Sequence, residues 1–195
     1  MTHNAQVNVI VGLGNPGPEY HMTYHNAGML ALPSLAARLA PDAAGPDGTD
    51  LTFTRYKRLF EYAIADGWAF VRPLTYMNDS GRAVKEALRV LDATPEGLIV
   101  AHDDSDLALG TWKIVRGGGG AAGHKGIISI IDHLGTPSFT RARIGIRDPR
   151  ETHRKKAGDF VLSPIGAHER EALEKAFLEI AEALRTQEIS FNAAS

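Results

Sequence analysis

Cysteine is absent from the chain, which excludes disulfides, thiol nucleophiles and cysteinyl zinc sites and suits a reducing compartment. Strong net charge is absent too. The 21 basic and 23 acidic side chains leave −2, too little for a protein that coats nucleic acid through a global positive field. No apolar run approaches the roughly 20 residues of a membrane span, so a soluble protein is expected. The opening residues, MTHNAQVN, carry neither the charged-then-apolar pattern of a secretion signal nor the arginine-rich pattern of a transit peptide. The expected location is the cytoplasm.

What is present is an ordinary globular composition on 195 residues, with no internal repeat and no linker long enough to divide the chain. One domain, residues 1–195, is expected, with 1–6 and 190–195 poorly ordered. Strand-like runs fall near 7–13, 51–57, 60–65, 68–72, 98–102, 111–116 and 139–146. Helical patterns fall near 27–40, 80–92, 124–134 and 167–187. This alternation predicts an α/β protein, its twisted mixed sheet covered by helices on both faces as a three-layer α/β/α sandwich. Asp66-Gly67, between two strand-like runs, predicts a tight antiparallel hairpin. Residues 41–50 and 147–158 read as surface loops. Pro33 conflicts with its helical surroundings, and predicts a helix that starts late or bends.

The first strand runs into VGLGNPGPEYHMTYHNAG, which matches the dinucleotide pattern G-x-G-x-x-G at Gly12, Gly14 and Gly17. The residues after the glycines do not fit a dinucleotide site. Pro16, Gly17 and Pro18 keep the chain irregular where a helix should begin at once, and no ribose-binding acid ends a second strand. The RGGGGAAGHKG stretch nearly matches a phosphate-binding P-loop, but His124 precedes Lys125 and no Ser or Thr comes next to hold magnesium. It reads instead as a flexible loop whose amides, with His124 and Lys125, meet phosphate or a polar backbone.

In open α/β sheets ligands gather beyond the carboxyl ends of the strands, so polar residues just after apolar runs are the candidates. Asn15 follows the first strand, and His25 lies in the loop it opens. Asn78 precedes a helix in RPLTYMNDSG. In VAHDDSD the strand is expected to end at His102, with Asp103 as an orienting carboxylate and Asp104 and Asp106 as loop acids. A neutral imidazole can take a proton from water, a carboxylate on its other nitrogen can stabilise the imidazolium, and carboxamide N–H groups can hold a developing oxyanion. With no cysteine and no glycine-flanked serine elbow, hydrolysis by activated water fits better than an acyl-enzyme. No metal is expected.

Five segments together carry more than any one of them. GLGNPGPEYHMTYHNAG, RPLTYMNDSG, VAHDDSDLALG, GGGGAAGHKG and FTRARIGIRDP closely resemble, in order and spacing, the bacterial-type peptidyl-tRNA hydrolase family. The resemblance implies hydrolysis of the ester joining a peptide to the 3′-terminal ribose of tRNA, without metal or cofactor. It implies His25 as general base, Asp103 as its partner, and Asn15 and Asn78 as the carboxamides at the reacting carbonyl. Tyr20 and Met77 would shape the cleft, His124 would lie near the tRNA 3′ end, and Arg116 and Arg143 would clamp a terminal phosphate. A monomer acting on peptidyl-tRNA, with no membrane or DNA partner, is the expectation. Three departures stand out: Lys125 where the family usually has asparagine, Tyr24 where it has arginine, and Ala121-Ala122 in a loop that usually carries further glycine or histidine, which should stiffen it. Lys125 and Tyr24 motivate one alternative, an RNA-binding paralogue of the same fold with impaired catalysis.

Overall fold

Apolar runs along the chain become seven strands of one sheet: β1 (Asn8–Gly12), β2 (Thr54–Tyr56), β3 (Phe60–Ala65), β4 (Trp68–Pro73), β5 (Leu98–Ala108), β6 (Trp112–Val115) and β7 (Thr140–Arg147). Four helices pack on it: α1 (Ala27–Leu39), α2 (Ser80–Val90), α3 (Lys125–Leu134) and α4 (Ala167–Asn192). The computed structural model describes residues 7–41, 51–150 and 156–192, with side chains as far as residue 186. Of the ends expected to be poorly ordered, 1–6 and 190–195, residues 190–192 belong to α4, and 1–6 and 193–195 lie outside the described residues, as do 42–50 and 151–155 of the expected loops 41–50 and 147–158.

The sheet order is β2-β3-β4-β1-β5-β7-β6. Its centre, β4-β1-β5-β7, is parallel, and both edges are antiparallel, so the sheet is mixed as expected. The β3–β4 hairpin turns at Asp66 and Gly67, both at positive φ (49° and 80°), as a tight primed turn requires.

Two-residue alternation assigns each strand side chain to a face. Ile10 joins the core under α1 and α4, while Val9 and Val11 join the core under α2 and α3. The result is the three-layer α/β/α arrangement. Two points need correcting. Of the two ways to accommodate Pro33, a late start does not occur: α1 begins at Ala27 and continues past Pro33, which sits on the exposed side. Strand β5 does not end at His102 but continues to Ala108, pairing Asp103 with Ile144 and Asp104 with Gly145 of β7. Asp103 and Asp104 stay in the ladder with side-chain partners, His25 and His124 for the first and Arg143 for the second.

The central strands β1 and β5 lie side by side, with Gly12 opposite Ala101. The start of α1 is pressed against both. A Cβ on Gly12 would fall 2.5 Å from the Gly28 carbonyl oxygen, and one on Gly28 would fall 2.1 Å from that of Ala101. The opening glycines therefore permit backbone contact that fixes the residues just before α1.

Candidate active site

Beyond the carboxyl end of β1, alongside the continuing strand β5, lies a cleft of about 730 Å³, with Asn15, His25, Met77, Asn78, Asp103 and His124 in its wall. His25 sits in a 3₁₀ turn (Tyr24–Asn26) immediately before α1. Its backbone N–H donates to the Val161 carbonyl at 2.8 Å, and Ile165 N–H donates to the Met22 carbonyl at 2.8 Å, so the segment before α4 straps the histidine loop down. His25 Nδ1 lies 2.9 Å from Asp103 Oδ1. Because ionised Asp103 can only accept, Nδ1 carries the proton and Nε2 is left as the basic nitrogen available to the cleft.

The same carboxylate oxygen meets a second histidine. His124 Nε2 lies 2.9 Å from Asp103 Oδ1, while His124 Nδ1 accepts from the Gly126 and Ile127 amides at 3.2 and 3.3 Å as the cap of α3. Two amide donors at Nδ1 force the His124 proton onto Nε2. Burial pushes the Asp103 carboxyl upward, but the electrostatic influence of the His124 ring and the hydrogen bonds from His124 and His25 outweigh it and hold the group well below the usual carboxylate range. Below the pair, His102 Nδ1 donates to the Asp103 carbonyl at 2.8 Å, and its buried Nε2 makes no hydrogen bond among the described residues. Burial and the neighbouring His124 push His102 down to about 3, so it is neutral.

His25, Asp103 and His124 bring three metal-capable atoms within 4.8 Å of one another. The donor chemistry opposes a metal there. An ion on His124 Nε2 would move that proton to Nδ1, where it would point at two backbone N–H donors.

Asn15 is clamped from two directions. Its backbone N–H donates to Asn26 Oδ1 (2.8 Å), Asn26 Nδ2 donates to its carbonyl (3.1 Å), and Met77 N–H donates to its Oδ1 (2.8 Å). The last contact assigns the amide orientation and leaves Nδ2 to face the cleft. Asn78 is exposed on the 3₁₀ turn before α2, and Lys125 is exposed at the first turn of α3; both line the cleft.

Asp104 is not the loop acid expected: it is buried on β5, where Arg143 Nε donates to its Oδ2. Arg143 thus stands in the cleft wall already held by a carboxylate. Tyr20 and Arg116 are not among the lining residues; Tyr20 reaches the rim through an edge-on contact with exposed Tyr76, ring centres 6.4 Å apart. Tyr24 packs edge-on against Phe160 and joins the margin of the core under α1 and α4. Ala122 adopts a left-handed φ of 47°, which costs an alanine about 1–2 kcal/mol and adds strain to the expected stiffness.

Sequence reasoning missed four residues here: Asn26 and His102, which support Asn15 and Asp103; Asp104 as the partner of Arg143; and buried Arg141, which donates to the carbonyls of Gly118 and Gly120 in the glycine loop. Asn26, directly after His25, and His102, directly before Asp103, carried a positional signal.

The fold and cleft define an α/β protein with a His–Asp pair and two carboxamides gathered at the carboxyl end of the central strand β1 of a mixed sheet. The peptidyl-tRNA hydrolase family model matches residues 9–192, and the chain belongs to that family. The peptidyl-tRNA hydrolase of Moorella thermoacetica is 40% identical over 183 residues, covering 93% of this chain and 90% of the relative. That of Sorangium cellulosum is 40% identical over 165 residues, covering 85% and 71%. The crystal structure of peptidyl-tRNA hydrolase from Acinetobacter baumannii superimposes with a TM-score of 0.75 at 31% identity, covering 97% of this chain and 94% of the other.

Proposed function

We propose that the protein hydrolyses the ester of peptidyl-tRNA, releasing peptide and free tRNA, with His25 as the general base. The observation that carries this is the 2.9 Å contact between His25 Nδ1 and the buried Asp103 carboxylate, which leaves Nε2 to act. In the reaction Nε2 takes a proton from water, and the resulting hydroxide adds to the peptide carbonyl. Asp103 stabilises the imidazolium while the Asn15 and Asn78 amides donate to the carbonyl oxygen and the peptide end. The tetrahedral intermediate collapses, the C–O bond to the 3′ ribose breaks, and His25 returns its proton to the leaving oxygen. Free tRNA and a peptide carboxylic acid result, and the base is regenerated.

Lys125, His124 and Arg143 meet the acceptor end, with Arg116 reaching a more distant phosphate, and Tyr20 and Met77 shape the peptide side. Such charge-assisted contacts position RNA without reading its sequence. The proposed form is a cytoplasmic monomer that needs no cofactor, metal or DNA. Among the described residues no helix is long and apolar enough to cross a membrane.

The test is parallel incubation with N-acetylaminoacyl-tRNA and free aminoacyl-tRNA, following ester cleavage. Cleavage of the blocked substrate alone is expected. Equal cleavage of both would indicate a broader esterase, and retention of tRNA without cleavage would favour the catalytically impaired RNA-binding paralogue.

A further inference from the structure

We infer that His124 is a positioning residue for catalysis, acting through Asp103 as a second hydrogen-bond donor to the oxygen that orients His25. The inference deepens the hydrolase reading and rests on it. Three observations carry it. Asp103 Oδ1 is 2.9 Å from both His25 Nδ1 and His124 Nε2, so one oxygen serves two rings. The α3 amides at Nδ1 fix the donor tautomer of His124 independently of any substrate. His102, buried beneath, presents its ring edge-on at 4.7 Å between centroids and limits where the His124 ring can move.

The consequence is electrostatic as well as steric. A hydrogen bond to a carboxylate draws off part of its charge, so His124 competes with the imidazolium that His25 becomes during turnover. Removing that donor makes Asp103 a better partner for protonated His25 and a less firmly held one. Other charged or titratable groups around the pair are His102, Asp104 and Asp106 on β5, Arg141 and Arg143 on β7, Lys113 on β6, Lys125 on α3 and Tyr76 before α2. Asp104 already answers Arg143, and the Arg141 guanidinium is turned to the glycine loop. His124 is the side chain that donates to Asp103 from outside the His25 loop.

Two variants separate this role from a simple tRNA contact. In His124→Ser the hydroxyl still caps α3 but is too short to reach Asp103. His124→Gln keeps a side-chain N–H of comparable reach. The measurement is kcat against pH at saturating N-acetylaminoacyl-tRNA, with KM determined at each pH. For His124→Ser the acid limb of kcat moves to higher pH, by on the order of 1 unit, the scale of one hydrogen bond to a charged group. His124→Gln returns it toward the parent position. An acid limb at the same pH in His124→Ser and the parent, whatever happens to KM, overturns the inference and leaves His124 as a substrate contact. Loss of the hydrolase reading itself would look different: His25→Asn would retain turnover and its acid limb.

Discussion

Asn26 holds Asn15 by both backbone groups, accepting from its N–H and donating to its carbonyl. The neighbour of the proposed base therefore fixes the proposed oxyanion donor, and the two sides of the chemistry are built as one piece. Asn26 is 2% exposed, so its amide has no water to fall back on.

Replacing it tests that coupling. Asn26→Ala leaves two backbone groups of Asn15 unanswered and is expected to cost about 1–3 kcal/mol in urea unfolding. It is also expected to lower kcat by roughly 100-fold through misplacement of Asn15. Lost stability with unchanged kcat would make Asn26 a purely structural clamp.

Much of this was legible in the sequence. Apart from the far ends of β5 and α4, the elements lie within a few residues of their expected places, because two-residue alternation in β1 and the Asp66-Gly67 turn are local signals. His25, Asp103, Asn15 and Asn78 were readable as polar residues beyond apolar runs, and they share one cleft. What was not readable were the partners across the sheet. Burial of Asp104 depends on Arg143, 39 positions away on β7, and the strand's extension depends on that ion pair and on the two histidines of Asp103. An isolated run of acids carries no sign of such partners, so it resembles a solvated loop.

Asp103→Asn is expected to act through charge. An amide oxygen can still accept from both His25 and His124, so the tautomers survive, but the negative charge facing the imidazolium is gone. A fall in kcat of roughly 10- to 100-fold is expected, with the acid limb moved to lower pH, the scale of one hydrogen bond to a charged group. A kcat within about threefold of the parent would remove Asp103 from the mechanism.

His102 predicts an acid-sensitive fold. Burial holds it neutral down to about pH 3, whereas the unfolded chain protonates it near 6.5. The unfolded state binds the extra proton throughout that window, so stability is highest above pH 6.5 and falls as pH drops toward 3. The slope from this group is at most about 1.4 kcal/mol per pH unit. Urea titrations from about pH 7.5 to about pH 5 should show the decline in the parent and a flatter profile in His102→Asn. Identical slopes would place the acid sensitivity elsewhere.

Lys125 is proposed to meet a phosphate. Lys125→Ala should then weaken tRNA binding and reduce the slope of log Kd against log salt by about 1, with little change in saturated kcat. An unchanged slope would show that the departure from the family's asparagine adds no phosphate contact.

The central claim is that His25 activates the attacking water. It is tested most directly by single-turnover cleavage of N-acetylaminoacyl-tRNA with His25→Asn, alongside tRNA affinity of the same variant. The ester-cleavage rate is expected to fall by at least roughly 1,000-fold, with tRNA affinity within about threefold of the parent. Cleavage at the parent rate would contradict it.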